Sequence, residues 1–339
     1  MAVSITDVAR KAGVSLSTVS YVLNGGPRNV TDELRERVLT IVRELDYRPS
    51  QIARSMVTGR TGAIGVIHAP IKYDVFGGTF VQVMMSGIMA EAQRLRHDLL
   101  IYANALTDDP KHAILDVDDG RADGWIVIAS GRSDPLVDML VETKKPLIIV
   151  TGTWRPEVSY VGGDNSNGVA LQFKHLYDLG HRKIGEIYGN LDRTDAVERR
   201  NAFRRALKNH NLPFEKKWSV CGNFEPDKAF VAAQKLLSQH ELPTALIVAN
   251  DAMAIAAIDA AKSVGISVPN QLSVIGLDGL VTGLLSDPPL STVVQPLPEM
   301  GAAAVRGLDS LIRGEKVVSS TRFPMKLVVR ASTSSPKED

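Results

Sequence analysis

The chain has 339 residues, 39 Lys+Arg against 38 Asp+Glu, 44% apolar residues and one cysteine, Cys221. That length makes two or three structural units at roughly 100–200 residues each, and the near-neutral charge excludes a globally basic nucleic-acid coat protein. A lone cysteine excludes a disulfide framework or a cysteine-rich zinc cluster, and no apolar run approaches the ~18 residues of a membrane span.

The opening Met-Ala-Val-Ser-Ile-Thr-Asp lacks the charged and apolar regions of a signal peptide, so a cytoplasmic protein is expected. Residues 1–60 hold nine Lys+Arg against six Asp+Glu, a local balance of +3 that leaves −2 for the remainder. Ile5, Val8, Ala9 and Ala12 fall on one helical face, and Gly13 ends that helix where the chain needs a left-handed residue. Ser15 reads as the N-cap of a second helix with Val19, Val22 and Leu23 inward, broken by Asn24-Gly25-Gly26-Pro27. Thr31 reads as the cap of a third, with Asp32 and Glu33 at the positive end of its dipole and Leu34, Val38, Ile41, Val42 and Leu45 as its apolar stripe. Three short helices, the first two joined by a tight glycine turn, make a helix-turn-helix pattern. Tyr47-Arg48-Pro49 closes the third helix, and residues 50–58 read as two more helical turns ending at Gly59-Arg60-Thr61-Gly62.

From Ile64 the pattern changes to α/β. Strand-like runs occur at 64–68, 99–103, 125–129, 147–150, 184–188, 245–248 and 273–277, with amphipathic stretches around 80–96, 166–179, 195–209, 226–239 and 252–264. Alternation of this kind implies parallel sheets with helices on both faces, and seven strands over this length fit two α/β subdomains. The final residues, 332–339, read as a flexible tail.

A second helix can enter the major groove only with an outward face free of core duties. Leu16, Ser17, Ser20 and Tyr21 lie on that face, while Ser4, Ser15, Thr18, Ser20, Asn24 and Arg28 are residue types suited to phosphates or to a helix N-terminus. Residues 5–25 (Ile-Thr-Asp-Val-Ala-Arg-Lys-Ala-Gly-Val-Ser-Leu-Ser-Thr-Val-Ser-Tyr-Val-Leu-Asn-Gly) closely resemble the headpiece of LacI/GalR-family transcription regulators. Residues 45–56 (Leu-Asp-Tyr-Arg-Pro-Ser-Gln-Ile-Ala-Arg-Ser-Met) resemble that family's third-helix end and hinge helix. The resemblance implies a homodimer reading a pseudo-palindromic operator in double-stranded DNA, with hinge helices paired in the minor groove. Ala53 then permits their close approach and Met56 occupies the wedge position, where leucine is usual. Tyr21 stands where the family usually has an arginine that takes a guanine. A tyrosine hydroxyl cannot make that bidentate contact, so a non-standard half-site is expected, with Leu16 suited to a thymine methyl.

Downstream, Asp123-Gly124-Trp125-Ile126-Val127, Leu179-Gly180-His181-Arg182-Lys183-Ile184, the run 242–254, Val274-Ile275-Gly276-Leu277-Asp278 and Pro289-Leu290-Ser291-Thr292-Val293 also resemble the family. They imply a periplasmic-binding-protein-like core of two doubly wound α/β lobes with ligand in the cleft. The boundaries expected are a headpiece over 1–48, a hinge over 49–60 and a core over 61–331. The lobes take approximately 61–160 with 294–320, and 161–293 with 321–331. Asn250 and Asp278 follow strands, where open α/β sheets bind ligands. A carboxylate and an amide there suit sugar hydroxyls, which donate and accept together.

By resemblance, Arg199, Phe224, Gln295 and Phe80 join them as effector-binding residues. Thr151 stands where sugar-responsive members have an aspartate. Each residue has a plainer alternative: a solvated helix charge for Arg199, core for Phe224, surface for Gln295, a turn for Asn250. Asp251 reads as a helix cap. The first-strand loop, 68–79, is longer than usual, and 110–120 reads as a shortened, incomplete helix.

No catalytic constellation emerges: seven scattered histidines lack metal spacing, and G-x-S-x-G, G-x-x-x-x-G-K-[ST] and strand-linked G-x-G-x-x-G motifs are absent. Cys221 reads as a packed, inert thiol. No cofactor, metal or enzymatic activity is expected. The reading is a dimeric transcription regulator, a repressor, controlled by a small-molecule effector of the carbohydrate class. A purine-responsive regulator and a stand-alone solute-binding protein are the alternatives.

Overall fold

The structure is a computed structural model describing residues 3–24, 30–49, 55, 58–68, 79–102, 110–152, 154–316 and 320–337. The chain divides into two units, Met1–Thr61 and Gly62–Asp339.

In the first unit, helices α1 (Ile5–Ala12), α2 (Leu16–Asn24) and α3 (Asp32–Glu44) bury Val8, Ala9, Ala12, Val19, Val22, Val38 and Ile41 in one small core. Gly13 ends α1 at φ 66°, and its N–H closes on the Arg10 carbonyl. The Thr31 hydroxyl accepts from the Leu34 amide at 3.4 Å and caps α3. Beyond Pro49, Ser55 and Thr58 are helical and the Gly59 amide reaches the Ser55 carbonyl at 2.8 Å. The other hinge positions, Ala53 and Met56 among them, lie outside the described residues, as does Arg28.

The second unit holds two six-stranded sheets. Strands β1 (Ala63–His68), β2 (Asp98–Ile101), β3 (Trp125–Ile128), β4 (Leu147–Val150) and β5 (Ser159–Gly163) belong to the first. Strands β6 (Ile184–Tyr188), β7 (Ser219–Cys221), β8 (Ala245–Val248), β9 (Ser273–Asp278) and β10 (Ser291–Val294) belong to the second. The chain then returns to place β11 (Ser320–Phe323) beside β5, and crosses again to place β12 (Lys326–Val328) beside β10. The orders are β11-β5-β4-β3-β1-β2 and β12-β10-β9-β8-β6-β7. Every pairing is parallel except β10–β12, an edge where a strand bonds on one side only and either direction satisfies it.

Helices α4 (Thr79–Leu95), α5 (Pro110–Val117), α6 (Pro135–Glu142), α7 (Asn165–Asp178), α8 (Thr194–Asn209), α9 (Pro226–Leu237), α10 (Asp251–Ser263), α11 (Val281–Leu285) and α12 (Leu297–Ile312) alternate with the strands. The first lobe packs Met84, Ile88, Met300, Ala304 and Leu308 on one sheet face and Trp125, Leu140 and Ile149 on the other. The second packs Leu236, Val248, Met253 and Ile258 on one face and Phe173, Phe203 and Ile247 on the other. Each large side chain so buried contributes about 1.5–3 kcal/mol.

Several expectations need correction. The lobes exchange chain after Gly163, Val294 and Phe323 instead of at 160, 293 and 320, because β5 and β11 both pair within the first sheet. The last residues are docked as far as Ser334. The Ser332 hydroxyl donates to the Val274 carbonyl at 2.6 Å and accepts from the Ser291 amide at 2.8 Å, and Ser332 is fully buried. Strands β10 and β11 escape the hydropathy pattern because they carry polar residues; in β10, Ser291 and Thr292 are wholly buried and hydrogen-bonded. By contrast, the shortened helix read at 110–120 is as expected, spanning residues 110–117. Cys221 is exposed, not packed. Among the described residues no helix is long and apolar enough to cross a membrane.

Candidate functional site

In the first unit the exposed start of α2 is the candidate nucleic-acid surface. Burial of Val19 and Val22 turns Ser15, Leu16 and Ser17 outward, with Leu16 48% exposed, and leaves Thr18, Ser20 and Tyr21 half-buried. The Ser15 hydroxyl accepts from the Thr18 amide at 3.2 Å and contacts the Ser17 and Thr18 hydroxyls at 2.7 and 2.9 Å. Short hydroxyls and backbone N–H groups around a helix N-terminus are what a phosphate accepts from. Ser4 is engaged locally: its hydroxyl accepts from the Asp7 amide at 3.3 Å and donates to the Asp7 carboxylate at 2.7 Å, a capping box that holds the carboxyl below its ordinary range. Asn24 is the last residue of α2.

In the second unit a cavity of about 580 Å³ opens between the lobes at the carboxyl ends of the strands. Phe80, Arg199, Phe224, Asn250 and Asp278 all line it, as do Arg193, Asp195, His68 and Asp259. Asp278, 4% exposed, closes β9 at φ 140°; its Oδ1 accepts from the Gln295 amide at 2.7 Å, and burial pushes its carboxyl up to about 8. Arg199 is equally buried, donating through Nε to Asn165 Oδ1 at 2.8 Å and through Nη1 to the Ala249 carbonyl at 2.5 Å. That burial excludes the solvated-charge alternative. Two guanidiniums approach the Phe224 ring, Arg193 at 4.7 Å and Arg199 at 6.0 Å from its centre. Asn250 caps α10, its Oδ1 accepting from the Met253 amide at 2.9 Å, which leaves its amide NH2 for the cavity.

The capping role expected of Asp251 therefore falls to its neighbour. Asp251 is fully buried and ties loops together, accepting from the Gly279 and Leu280 amides and the Thr292 hydroxyl at 2.8, 2.7 and 2.5 Å. Thr151 and Gln295 do not line the cavity; each stands one residue behind it. Thr151 accepts from Arg193 at 3.3 Å and Gln295 holds Asp278. Sequence reasoning missed Arg193 and Asp195, whose bidentate pair at 2.9 and 3.1 Å faces the cavity. The available signal was an arginine in the loop before α8 with an acid two residues on. Among the described residues, Ala129, Thr151, Phe224 and Asp278 are non-glycine residues at positive φ. Four such residues around one cleft concentrate backbone strain where function sits.

The lobes also clasp each other at the cleft edge. The Asp192 carboxylate accepts from the Ser133 amide at 3.1 Å and hydroxyl at 2.7 Å, and its carbonyl accepts from the Arg132 amide at 2.9 Å. Gly131 permits this approach: a Cβ there would lie 2.0 Å from Asp192 Oδ2. On the far side Arg322 of β11 makes a two-pronged pair with Glu198 of α8 at 2.7 and 3.0 Å. These contacts join the two lobes directly. Among the described residues no cluster of His, Cys, Asp and Glu is suited to a metal.

Comparison with known proteins agrees with this layout. Residues 4–50 match bacterial regulatory proteins of the lacI family, and residues 173–333 match the periplasmic binding protein-like domain. The HTH-type transcriptional repressor PurR of Haemophilus influenzae (strain PittEE) is 32% identical, over 98% of this chain and 99% of that one. Catabolite control protein A of Priestia megaterium is 31% identical over 98% and 100%. The solved lac repressor dimer bound to operator and the anti-inducer ONPF superposes with a TM-score of 0.86 at 25% identity, covering 98% of this chain and 100% of that one. The complex of the transcriptional regulator CelR with cellobiose gives 0.76 at 27% identity, covering 97% and 99%. With a headpiece and a two-lobed core matched over nearly the whole length, the chain belongs to the lacI family of DNA-binding bacterial regulatory proteins.

Proposed function

We propose that the protein is a homodimeric transcriptional repressor whose hold on a pseudo-palindromic operator is set by a hydroxyl-rich small molecule, a sugar, bound between the lobes. The cavity carries this reading: a buried carboxyl, an amide and an aromatic face converge at strand ends in a space the size of small-molecule sites. Asp278 and Asn250 supply acceptor and donor to paired hydroxyls, and Phe224 covers an apolar ring face. Leu16, Ser17, Ser20 and Tyr21 face base edges, with Ser15, Thr18, Asn24 and Arg28 toward phosphates and Ala53 and Met56 in the hinge. Arg199 and Phe80 complete the effector pocket, with Thr151 and Gln295 supporting it. An effector that prefers one arrangement of the lobes shifts operator affinity, and operator shifts effector affinity by the same factor.

The full chain, screened by thermal shift against sugars, polyols and nucleobases, tests this. A ligand at 100 times its Kd adds ~2.7 kcal/mol of stability, and its effect should vanish in Asp278→Ala. A hit that leaves operator affinity unaltered sinks the regulatory reading. The PurR relatives favour a nucleobase as the second reading, and a hit confined to purines would select it.

A further inference from the structure

Among the described residues the chain crosses between the lobes three times: at Asp164 and Asn165 after β5, at Gln295 and Pro296 after β10, and at Pro324 and Met325 after β11. The crossovers meet at Gly163, where a Cβ would lie 2.3 Å from Met325 Cε and 2.7 Å from Gln295 Oε1. The Asp164 amide also donates to the Phe323 carbonyl at 2.8 Å. Segments packed this closely cannot bend one at a time, so together they form the hinge on which the lobes rock.

Asn165 ties this hinge to the cavity. It opens α7 and is 2% exposed. Its Oδ1 accepts from Arg199 Nε at 2.8 Å, and its Nδ2 donates to Glu198 Oε2 at 2.8 Å. The partners fix which way the amide faces, because a guanidinium only donates and an ionised carboxylate only accepts. Glu198 in turn accepts both prongs of Arg322, on the strand that leads into the third crossover. An unbroken chain of bonds therefore runs from Arg199 on the cavity wall, through the first crossover, to the entrance of the third. The amide in the middle is chemically demanding. Aspartate there would set two carboxylates against each other, and alanine would leave the buried Arg199 Nε without its acceptor.

We infer that Asn165 is a positioning residue for allosteric control: on the reading that the cavity is the effector site, it converts movement of Arg199 into a changed grip of Glu198 on Arg322, and so into a changed hinge. The test is a double-mutant cycle of Arg199→Lys and Arg322→Lys in the full chain. Both substitutions keep the charge and lose the planar fork. Lobe separation is read by single-molecule energy transfer between dyes on the exposed Cys221 and on Leu115→Cys. Operator affinity is read by anisotropy on a duplex that the unsubstituted chain enriches from a randomised library. The two effects on the closed-to-open ratio should deviate from independence by about threefold or more, as for residues that act through shared partners. Asn165→Asp should make them independent, and Asn165→Asp with Glu198→Gln, which again opposes a donor to an acceptor, should restore the deviation. The operator Kd should follow the same pattern. A purely structural Asn165 would lower the melting temperature without linking the two arginines. Independent effects in the unsubstituted background, a deviation that survives Asn165→Asp, or an operator Kd that ignores the pattern overturns the inference. Lobes that respond as expected when no duplex is enriched leave the relay standing and overturn the operator reading instead.

Discussion

The clasp at the cleft edge allows the sharpest test of how this protein works. Replacing Asp192 by alanine removes two charge-assisted hydrogen bonds to Ser133 while leaving the Arg132-to-carbonyl bond in place. Bonds to charged groups are worth about 1.5–3 kcal/mol each. Asp192 is half-exposed, so solvent screening reduces the pair to about 1.5–3 kcal/mol in total. That is roughly 10- to 150-fold in the ratio of clasped to open lobes. Cys221, exposed on the second lobe, and a cysteine introduced by Leu115→Cys on the first provide a single-molecule energy-transfer pair, since Leu115 is 72% exposed. The variant should move the population toward longer separation and weaken effector binding in proportion to the lost clasped fraction. Gly131→Ala, which drives a methyl into the Asp192 carboxylate, should do the same. An unaltered distance distribution together with unaltered effector affinity would refute the claim that this clasp sets lobe position.

Other consequences are as direct. Burial raises Asp278 to about 8 and moves Asp251 the same way, so the folded core retains protons that the unfolded chain releases near pH 4. Stability contributed by the retained proton is therefore full below about pH 4 and lost as pH rises toward 8, so the melting temperature should decline between about pH 5 and 8 and level off above it; Asp278→Asn should flatten that slope, and an identical slope would contradict the assignment. Truncation after Ala331 strips partners from the Ser291 amide, from both backbone groups of Val274 and from the buried His181, at about 1–3 kcal/mol for each group left unsatisfied. Urea unfolding should show a loss of several kcal/mol, and an unchanged midpoint would count against a docked tail. Tyr21→Arg should add a guanine preference worth ~1–3 kcal/mol to the operator half-site, read by selection from a randomised duplex library. Deleting residues 1–61 should abolish operator binding and keep the effector's thermal shift, as expected of separate units.

The amino-acid sequence by itself determined the local elements whose signals are short-range. Gly13, Ser15 and Thr31 mark helix ends through backbone sterics and capping, and all three act as read. Strands β1, β3 and β4 of the first sheet and β6, β8 and β9 of the second are legible because a parallel strand covered on both faces is a continuous apolar run, whereas the interior strands β5 and β10 are not, since they carry serine, threonine and glycine. Asn250 and Asp278 were likewise within reach because they stand at strand ends, while Phe80, Arg199 and Phe224 came only from the family resemblance. What only the tertiary structure decided is partnership across long separations. Thr292 is a buried polar residue that looks like loop until Asp251, 41 positions away, is seen to accept its hydroxyl. Ser332 looks like a frayed end until the Ser291 amide and the Val274 carbonyl take it in. Arg193, Asp192 and Arg322 carry no local signal, and acquire roles only when the lobes bring Thr151, Ser133 and Glu198 beside them. The physical reason is one of range. Hydropathy periods and caps are encoded within a turn or two of chain, whereas a buried polar group's cost is cancelled by whichever distant partner the fold delivers, and that partner leaves no local signature.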